Sequence, residues 1–257
     1  MRLQKFLALA GCTTSRRKAE EMITLGQVTV NGTVAHLGTC VDIENDSVLV
    51  NGVNVSKKSV ILQKNPLVLL LNKPAGYVCS HFDRYNDKTI FDLVPKQFAK
   101  NKLMYCGRLD KTTEGMVILT DDGDIAQKLT HPSFGVKKHY EAVISRPLTE
   151  KVFKELSKGI FDRGEFLKFE KIRSIGNGRM RGLMFEIVLL QGKKNEIHRM
   201  FEHFGIFVNF LCRTRIGNLN LRGVSVGHCR KLSDDEIKML LTDVTGGTKL
   251  VRQHGKN

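Results

Sequence analysis

The stretch Gly107-Arg108-Leu109-Asp110-Lys111-Thr112-Thr113-Glu114-Gly115, followed by Met116-Val117-Ile118-Leu119-Thr120, decides how this chain is read. Its second half is a short, continuous apolar run, the pattern of a strand buried on both faces. An aspartate in the loop before such a strand is most often a cap or turn residue. This one stands between Arg108 and Lys111, whose charges favour the ionised carboxylate. It also immediately precedes an element rigid enough to hold a reactive group in place. Taken alone, the stretch is compatible with either a turn or a catalytic carboxylate.

Further β-type runs lie on both sides of it, at Leu67–Leu71, Glu141–Ser145 and Leu183–Leu190. Helical patterns near 124–130, 149–158, 194–204 and 233–241 separate the runs irregularly, and Asp124 with Gln127 reads as a capping box for the first helix. Strands and helices without strict βαβ alternation predict an α+β unit with a mixed or antiparallel sheet over residues 66–242. Residues 1–58 read as a smaller unit. Leu3, Phe6, Leu7 and Ala10 recur at helical spacing, and Gly11 ends that helix. Thr13-Thr14-Ser15 offers caps for a second helix with Ala19, Met22 and Ile23 as its apolar face. Then Val28-Thr29-Val30-Asn31-Gly32-Thr33-Val34 folds back at Asn-Gly, echoed by Val48-Leu49-Val50-Asn51-Gly52-Val53. Residues 59–65, in the polar stretch Ser56–Asn65, read as a linker, and 243–257 as a mobile basic tail.

The 257 residues carry 41 Lys+Arg against 26 Asp+Glu, a formal charge of +15. Such an excess favours a polyanionic partner through the summed field and counterion release. Between residues 165 and 231 there are 13 Lys/Arg against 5 Asp/Glu, and Arg213 and Arg215 are candidate phosphate contacts there. Arg16, Arg17 and Lys18, at the start of the second helix, are further candidates, because free N–H groups and the helix dipole point the same way. No apolar run approaches the ~18 residues of a spanning helix, and Phe6–Ala10 is too short for a secretory core. Six cysteines without a C-x-x-C pair argue against a zinc ribbon or disulfide framework and predict a reducing, cytoplasmic location. No metal is expected: Asp121-Asp122-Gly123-Asp124 lacks the later ligands of a calcium loop, and His198, Glu202 and His203 do not form H-E-x-x-H.

Gly-Arg-Leu-Asp-x-x-Thr-x-Gly at Gly107–Gly115 resembles the signature of the RNA pseudouridine synthases. Other pieces stand in the order of that family. Leu71-Asn72-Lys73-Pro74-Ala75-Gly76 resembles its Lys-Pro-x-Gly motif, and Lys138-His139-Tyr140 its Lys-x-Tyr motif. Gln191-Gly192-Lys193-Lys194-Asn195-Glu196-Ile197-His198-Arg199-Met200-Phe201 is similar to its third, helical motif, and Arg213-Thr214-Arg215-Ile216-Gly217 to its closing element. The two helices and Asn-Gly hairpin of residues 1–58 are similar to an S4 RNA-binding domain, as in the branch typified by the small-subunit synthase A. The stretch Asn195–Gly205 looks closer to the large-subunit members, so the resemblance implies isomerisation of a uridine in ribosomal RNA, leaning to the large subunit.

The resemblance implies a cofactor-free isomerase, acting as a monomer on ribosomal RNA or ribosome assembly intermediates. Asp110 matches the essential carboxylate and Tyr140 the tyrosine that stacks on the uracil; Arg108, Lys73 and Lys138 are implied substrate-binding residues. One departure stands out. The family's third motif commonly supplies an Arg or Lys to pair with the catalytic Asp, where this chain has His198, followed by Arg199. Motif register favours His198 and permanent charge favours Arg199. Two rival readings are a degenerate, non-catalytic rRNA-binding protein, suggested by His198, and a glycosidic-bond hydrolase, which ordinarily needs two flanking carboxylates.

Overall fold

The computed structural model describes residues 1–13, 15–55, 66–85 and 88–242. The sequence-predicted linker and basic tail lie outside these residues. The chain divides into two compact units, Met1–Asn65 and Pro66–Asn257.

In the first unit, helix α1 (Leu3–Leu9) buries Leu3, Phe6 and Leu7, and α2 (Arg16–Thr24) buries Ala19 and Ile23. The Ser15 hydroxyl caps α2 by accepting from the Lys18 N–H at 3.2 Å. Strands β1 (Val28–Val30), β2 (Thr33–Val34), β3 (Val48–Val50) and β4 (Val53–Asn54) form an antiparallel sheet in the order β2-β1-β3-β4. Both hairpins turn on left-handed Asn-Gly pairs, with φ of 52° and 80° at Asn31 and Gly32, and 49° and 77° at Asn51 and Gly52. That twist matches the right-handed twist of the flanking strands. Val28, Ala35, Val41 and Val48 close the core beneath the helices.

The second unit is built on a mixed sheet. Its strands are β5 (Val68–Lys73), β6 (Met104–Cys106), β7 (Glu114–Thr120), β8 (Lys138–Ile144), β9 (Ile160–Asp162), β10 (Glu165–Leu167), β11 (Lys171–Ser174), β12 (Met184–Leu189), β13 (Val208–Ile216), β14 (Leu219–Asn220) and β15 (Cys229–Lys231). The main path runs β11-β12-β8-β13-β7-β5-β15, while β14 pairs with β13, β6 with β7, and β9 with β10 as a separate hairpin. Among the named strands of the described residues every pairing is antiparallel except that of β13 with β7, which is parallel. Helices α3 (Gly123–Thr130) and α6 (Asp234–Leu241) cover one face, and α4 (Glu150–Lys158) and α5 (Glu196–Glu202) the other. All six β5 residues are buried: Val68 and Leu70 pack towards α3 and α6, Leu69 and Leu71 towards α4 and α5. This is why the strands read as continuous apolar runs.

The first of these helices starts earlier than the sequence suggested. The cap of α3 is Asp122, whose carboxylate accepts from the Asp124 and Ile125 N–H groups at 2.7 and 3.1 Å, so the Asp124–Gln127 capping box does not form. The Ser233–Glu236 box of α6 does form.

Candidate active site

Asp110 sits at the tip of the loop between β6 and β7, and that loop is fastened from below. The Lys73 side chain is fully buried, and its ammonium donates to the carbonyls of Pro74 (3.0 Å), Lys111 (3.3 Å) and Thr113 (2.7 Å). The Gly76 N–H donates to Lys111 O at 2.8 Å, and the Thr113 N–H to Asp110 O at 3.1 Å. Gly115 ends the loop with φ 102°, and a Cβ there would stand 2.7 Å from Arg213 N and 2.8 Å from Cys212 Sγ. Only glycine lets β7 approach β13 this closely.

The loop forms one wall of a cavity of about 260 Å³. Gly107, Arg108, Asp110 and Thr113 line that wall, the buried Tyr140 and Leu189 and Leu211 line the floor, and residues 192–198 complete it. Asp110 and Arg108 are exposed to the cavity's solvent. The sequence-predicted pair Asp110 and Tyr140 therefore meets at one site, and Arg108 joins it.

The partner of Asp110 is neither of the residues expected. His198 lines the cavity, half-buried, without a direct hydrogen bond to Asp110 among the described residues. Arg199 is buried and turned away: its Nε and Nη1 lie 2.6 Å from Asp162 and 2.6 Å from Glu165, on the β9–β10 hairpin. Those bonds hold the guanidinium firmly charged. The group beside Asp110 is Asn195, whose side-chain nitrogen stands 2.9 and 3.0 Å from the two carboxylate oxygens. The nitrogen must be the end that faces Asp110, because an ionised carboxylate only accepts. Asn195 is the N-cap of α5 and adopts a left-handed backbone, φ 52°. Asn tolerates that conformation better than most residues, and this preference was the available signal.

Three further expectations change. Lys73 is fully buried and does not line the cavity; it anchors the loop, and burial pushes its pKa down. Lys138 donates to Val136 O (3.1 Å) and Leu190 O (3.5 Å), tying β8 to the end of β12, and lies off the cavity wall; burial, then the Arg213 charge, lower its pKa to about 8. Arg213 is 1% exposed, so it is not a phosphate contact: its Nε donates to Met116 O at 2.7 Å and its Nη1 to the Tyr140 hydroxyl at 3.4 Å. A bulge in β13 between Arg213 and Arg215 puts Arg213 opposite Tyr140 and Arg215 opposite His139. One extra residue reverses the facing of the strand beyond it. Arg215, the other expected phosphate contact, therefore faces the opposite side of the strand and stays partly exposed, with its Nη2 2.6 Å from His139 Nε2, in a second cavity of about 460 Å³ shared with Arg222, Glu141 and Glu186. Burial, followed by the Arg215 charge, lowers the His139 pKa. Arg16, Arg17 and Lys18 are exposed on α2. Among the described residues no group of three or more His, Cys, Asp or Glu side chains is placed to hold a metal ion, and no helix is long and apolar enough to cross a membrane.

Residues 67–203 match the model of a family described as RNA pseudouridylate synthase, and residues 1–47 match the S4 domain. The chain belongs to the RNA pseudouridylate synthase family. The synthase unit thus follows an S4 unit. The chain is 34% identical to the ribosomal large subunit pseudouridine synthase B of Bacillus subtilis, across 100% of this chain and 98% of that protein. With the Pseudomonas aeruginosa protein of the same name the identity is 33%, covering 95% of this chain but 62% of the longer relative. The dual-specificity RNA pseudouridine synthase RluF of Escherichia coli is 32% identical over 100% of this chain and 83% of its own length. A crystal structure of a pseudouridylate synthase superposes with a TM-score of 0.64 at 30% identity, covering 93% of this chain and 99% of the other.

Proposed function

We propose that this synthase isomerises a uridine of ribosomal RNA, in the large subunit, to pseudouridine, with Asp110 as the catalytic carboxylate. The observation that carries the reading is the meeting of Asp110 and Tyr140 in one small cavity whose Asp-bearing loop is braced by a buried lysine. The names of the Bacillus and Pseudomonas relatives support the large-subunit target. Arg16, Arg17 and Lys18 on the exposed start of α2 are the expected phosphate contacts of the S4 unit.

A uridine stacked in RNA hides its reacting atoms, so the nucleotide must swing out into the cavity. There the Tyr140 ring offers a stacking surface for uracil, and Arg108 stands at the rim to hold the extruded nucleotide. The ionised Asp110 attacks C1′ of the ribose or takes a proton from C2′. Either route cleaves the N1–C1′ bond; the rotated uracil then forms the C5–C1′ bond as the Asp110–C1′ ester breaks or as the proton returns to C2′, and the C5 proton is lost while N1 takes one up. The Asn195 carboxamide holds both Asp110 oxygens without supplying charge. The enzyme is expected to work in the cytoplasm as a monomer, on rRNA or assembly intermediates.

A nucleotide-resolution pseudouridine map of rRNA from cells with and without the gene tests the reading, and one site should be lost. Purified Asp110→Asn protein should bind rRNA within a few-fold of wild type and form no product. Product from that variant would remove Asp110 from the mechanism.

A further inference from the structure

We infer that the β9–β10 hairpin is a stacking platform for an unpaired base of the RNA strand that flanks the reacting uridine, an inference that rests on the proposed RNA substrate. Phe161 and Phe166 face each other across the hairpin in register, with ring centroids 5.0 Å apart and planes inclined at 51°. Phe161 is 74% exposed and Phe166 45%, whereas Ile160 and Leu167, on the opposite face, are buried in the core. The pair therefore contributes little to the interior and forms an apolar patch in water.

Three features connect the patch to the cavity and to RNA. First, it is rigidly joined to the cavity wall. Lys193, which lines the cavity, donates to Phe166 O at 2.9 Å, and Arg199 clamps both Asp162 and Glu165 from the helix that Asn195 caps. Second, the Phe166 ring rests on Gly159, where a Cβ would stand 2.6 Å from the ring edge, so its position is fixed from behind. Third, the nearby charge suits a polyanion. The two hairpin carboxylates are engaged by Arg199, and Arg163 at the left-handed turn (φ 51°), with its Nε 3.7 Å from Asp162, keeps a side chain 74% exposed. Exposed aromatic rings bordered by cations are the usual means of holding single-stranded bases without sequence choice. A protein partner would be served equally well by the rings, but it gains nothing from the link to the cavity.

The chain contains no tryptophan, so Phe161→Trp in the full-length protein creates a single emitter on the patch. Titration with a single-stranded ten-nucleotide oligoadenylate should quench that emission in step with the fluorescence anisotropy of the labelled RNA. Phe161→Ala/Phe166→Ala should bind the same RNA about tenfold more weakly, in line with removal of one base stack. The slope of log K against log salt should stay unchanged, because every phosphate keeps its cation. Circular dichroism of each variant guards against loss of the hairpin itself, since a cross-strand pair also supports its strands. Emission that stays constant while the RNA saturates, or equal affinity of the double variant, overturns the inference. So does a wild-type dimer in sedimentation that the double variant abolishes, which would assign the patch to a second copy of the chain. None of these readouts needs turnover. A chain that quenches but makes no pseudouridine defeats the proposed function alone, and one that makes pseudouridine without quenching defeats the platform alone.

Discussion

Replacing Asn195 separates its two jobs. Its carboxamide holds Asp110 through two hydrogen bonds of 2.9 and 3.0 Å, and its backbone carries the left-handed φ of 52° that starts α5. Glycine keeps the backbone and removes the amide; alanine removes the amide and adds strain of about 1 kcal/mol for an L-residue in that region. A hydrogen bond to a charged group is worth about 1.5–3 kcal/mol net. Asp110 and Asn195 are both exposed, so the lower end applies. If that amount is what keeps the carboxylate aimed, the single-turnover rate should fall about tenfold in both variants, since about 1.36 kcal/mol is a factor of ten. Thermal unfolding should separate them: both lose the amide's hydrogen bonds, and Asn195→Ala should melt ~2–4 °C below Asn195→Gly in a unit of this size. The partner is neutral, so the rate should show no alkaline decline from loss of a protonated His198, and His198→Gln should remain active. Pseudouridine formation in quenched single turnovers, measured across pH, is the assay. An Asn195→Gly enzyme at the wild-type rate refutes the positioning role; a steep alkaline loss that His198→Arg abolishes returns the role to the histidine.

Lys73→Met keeps the stem but removes the ammonium from the Pro74 and Thr113 carbonyls, the Thr113 bond being fully buried, while Lys111 O keeps the Gly76 N–H. It should cost about 2–4 kcal/mol of stability and lower the single-turnover rate while RNA affinity holds; unchanged melting and rate would show that the anchor is dispensable. Lys138 has its pKa lowered from 10.5 to about 8, so between those values the unfolded chain binds the extra proton and this group makes stability rise with pH. Buried thiols raised to about 11–12 act in the opposite sense at high pH, so the measurement is the difference between wild type and Lys138→Met in urea midpoints from about pH 7.5 to 10. An equal pH dependence in the two proteins contradicts the assignment. Neutralising Arg16, Arg17 and Lys18 together should flatten the salt dependence of RNA binding by up to ~0.7–0.9 for each phosphate that goes without its cation, and an identical slope makes them a solvated face.

What the sequence displayed was local. The β-type runs, the Asn-Gly hairpins and the boundaries of most helices follow from periodicity and turn chemistry over a few residues. Asp110 and Tyr140 were visible because each lies in a short pattern. The misplaced residues depend on partners far along the chain. Arg199 was claimed by carboxylates 34 and 37 residues upstream, which no window around the third motif contains. Arg213 and Arg215 look equivalent in sequence, and only the bulge set by pairing with β8 sends them to opposite faces. Lys73 reads as a substrate-binding residue of the Lys-Pro-x-Gly motif until β5 is seen to be covered on both sides. Asn195 carried a faint mark, a residue at ease with positive φ just before a helix. Nothing local aimed it at Asp110.

The close approach of Gly115 to β13 also sets a schedule. The last glycine of the Asp110 loop is shaped to receive Arg213 and Cys212, residues synthesised almost a hundred positions later. Until residues 208–216 have emerged and docked in parallel beside β7, the loop has no backstop, Tyr140 has no guanidinium at its hydroxyl, and Leu211 is missing from the cavity floor. A chain ending after α5 carries every letter of the Gly107–Gly115 signature and is expected to make no pseudouridine, which a single-turnover assay of that truncation checks. On the proposed role of Asp110, the site is complete only when β13, near the end of the domain, has docked beside β7.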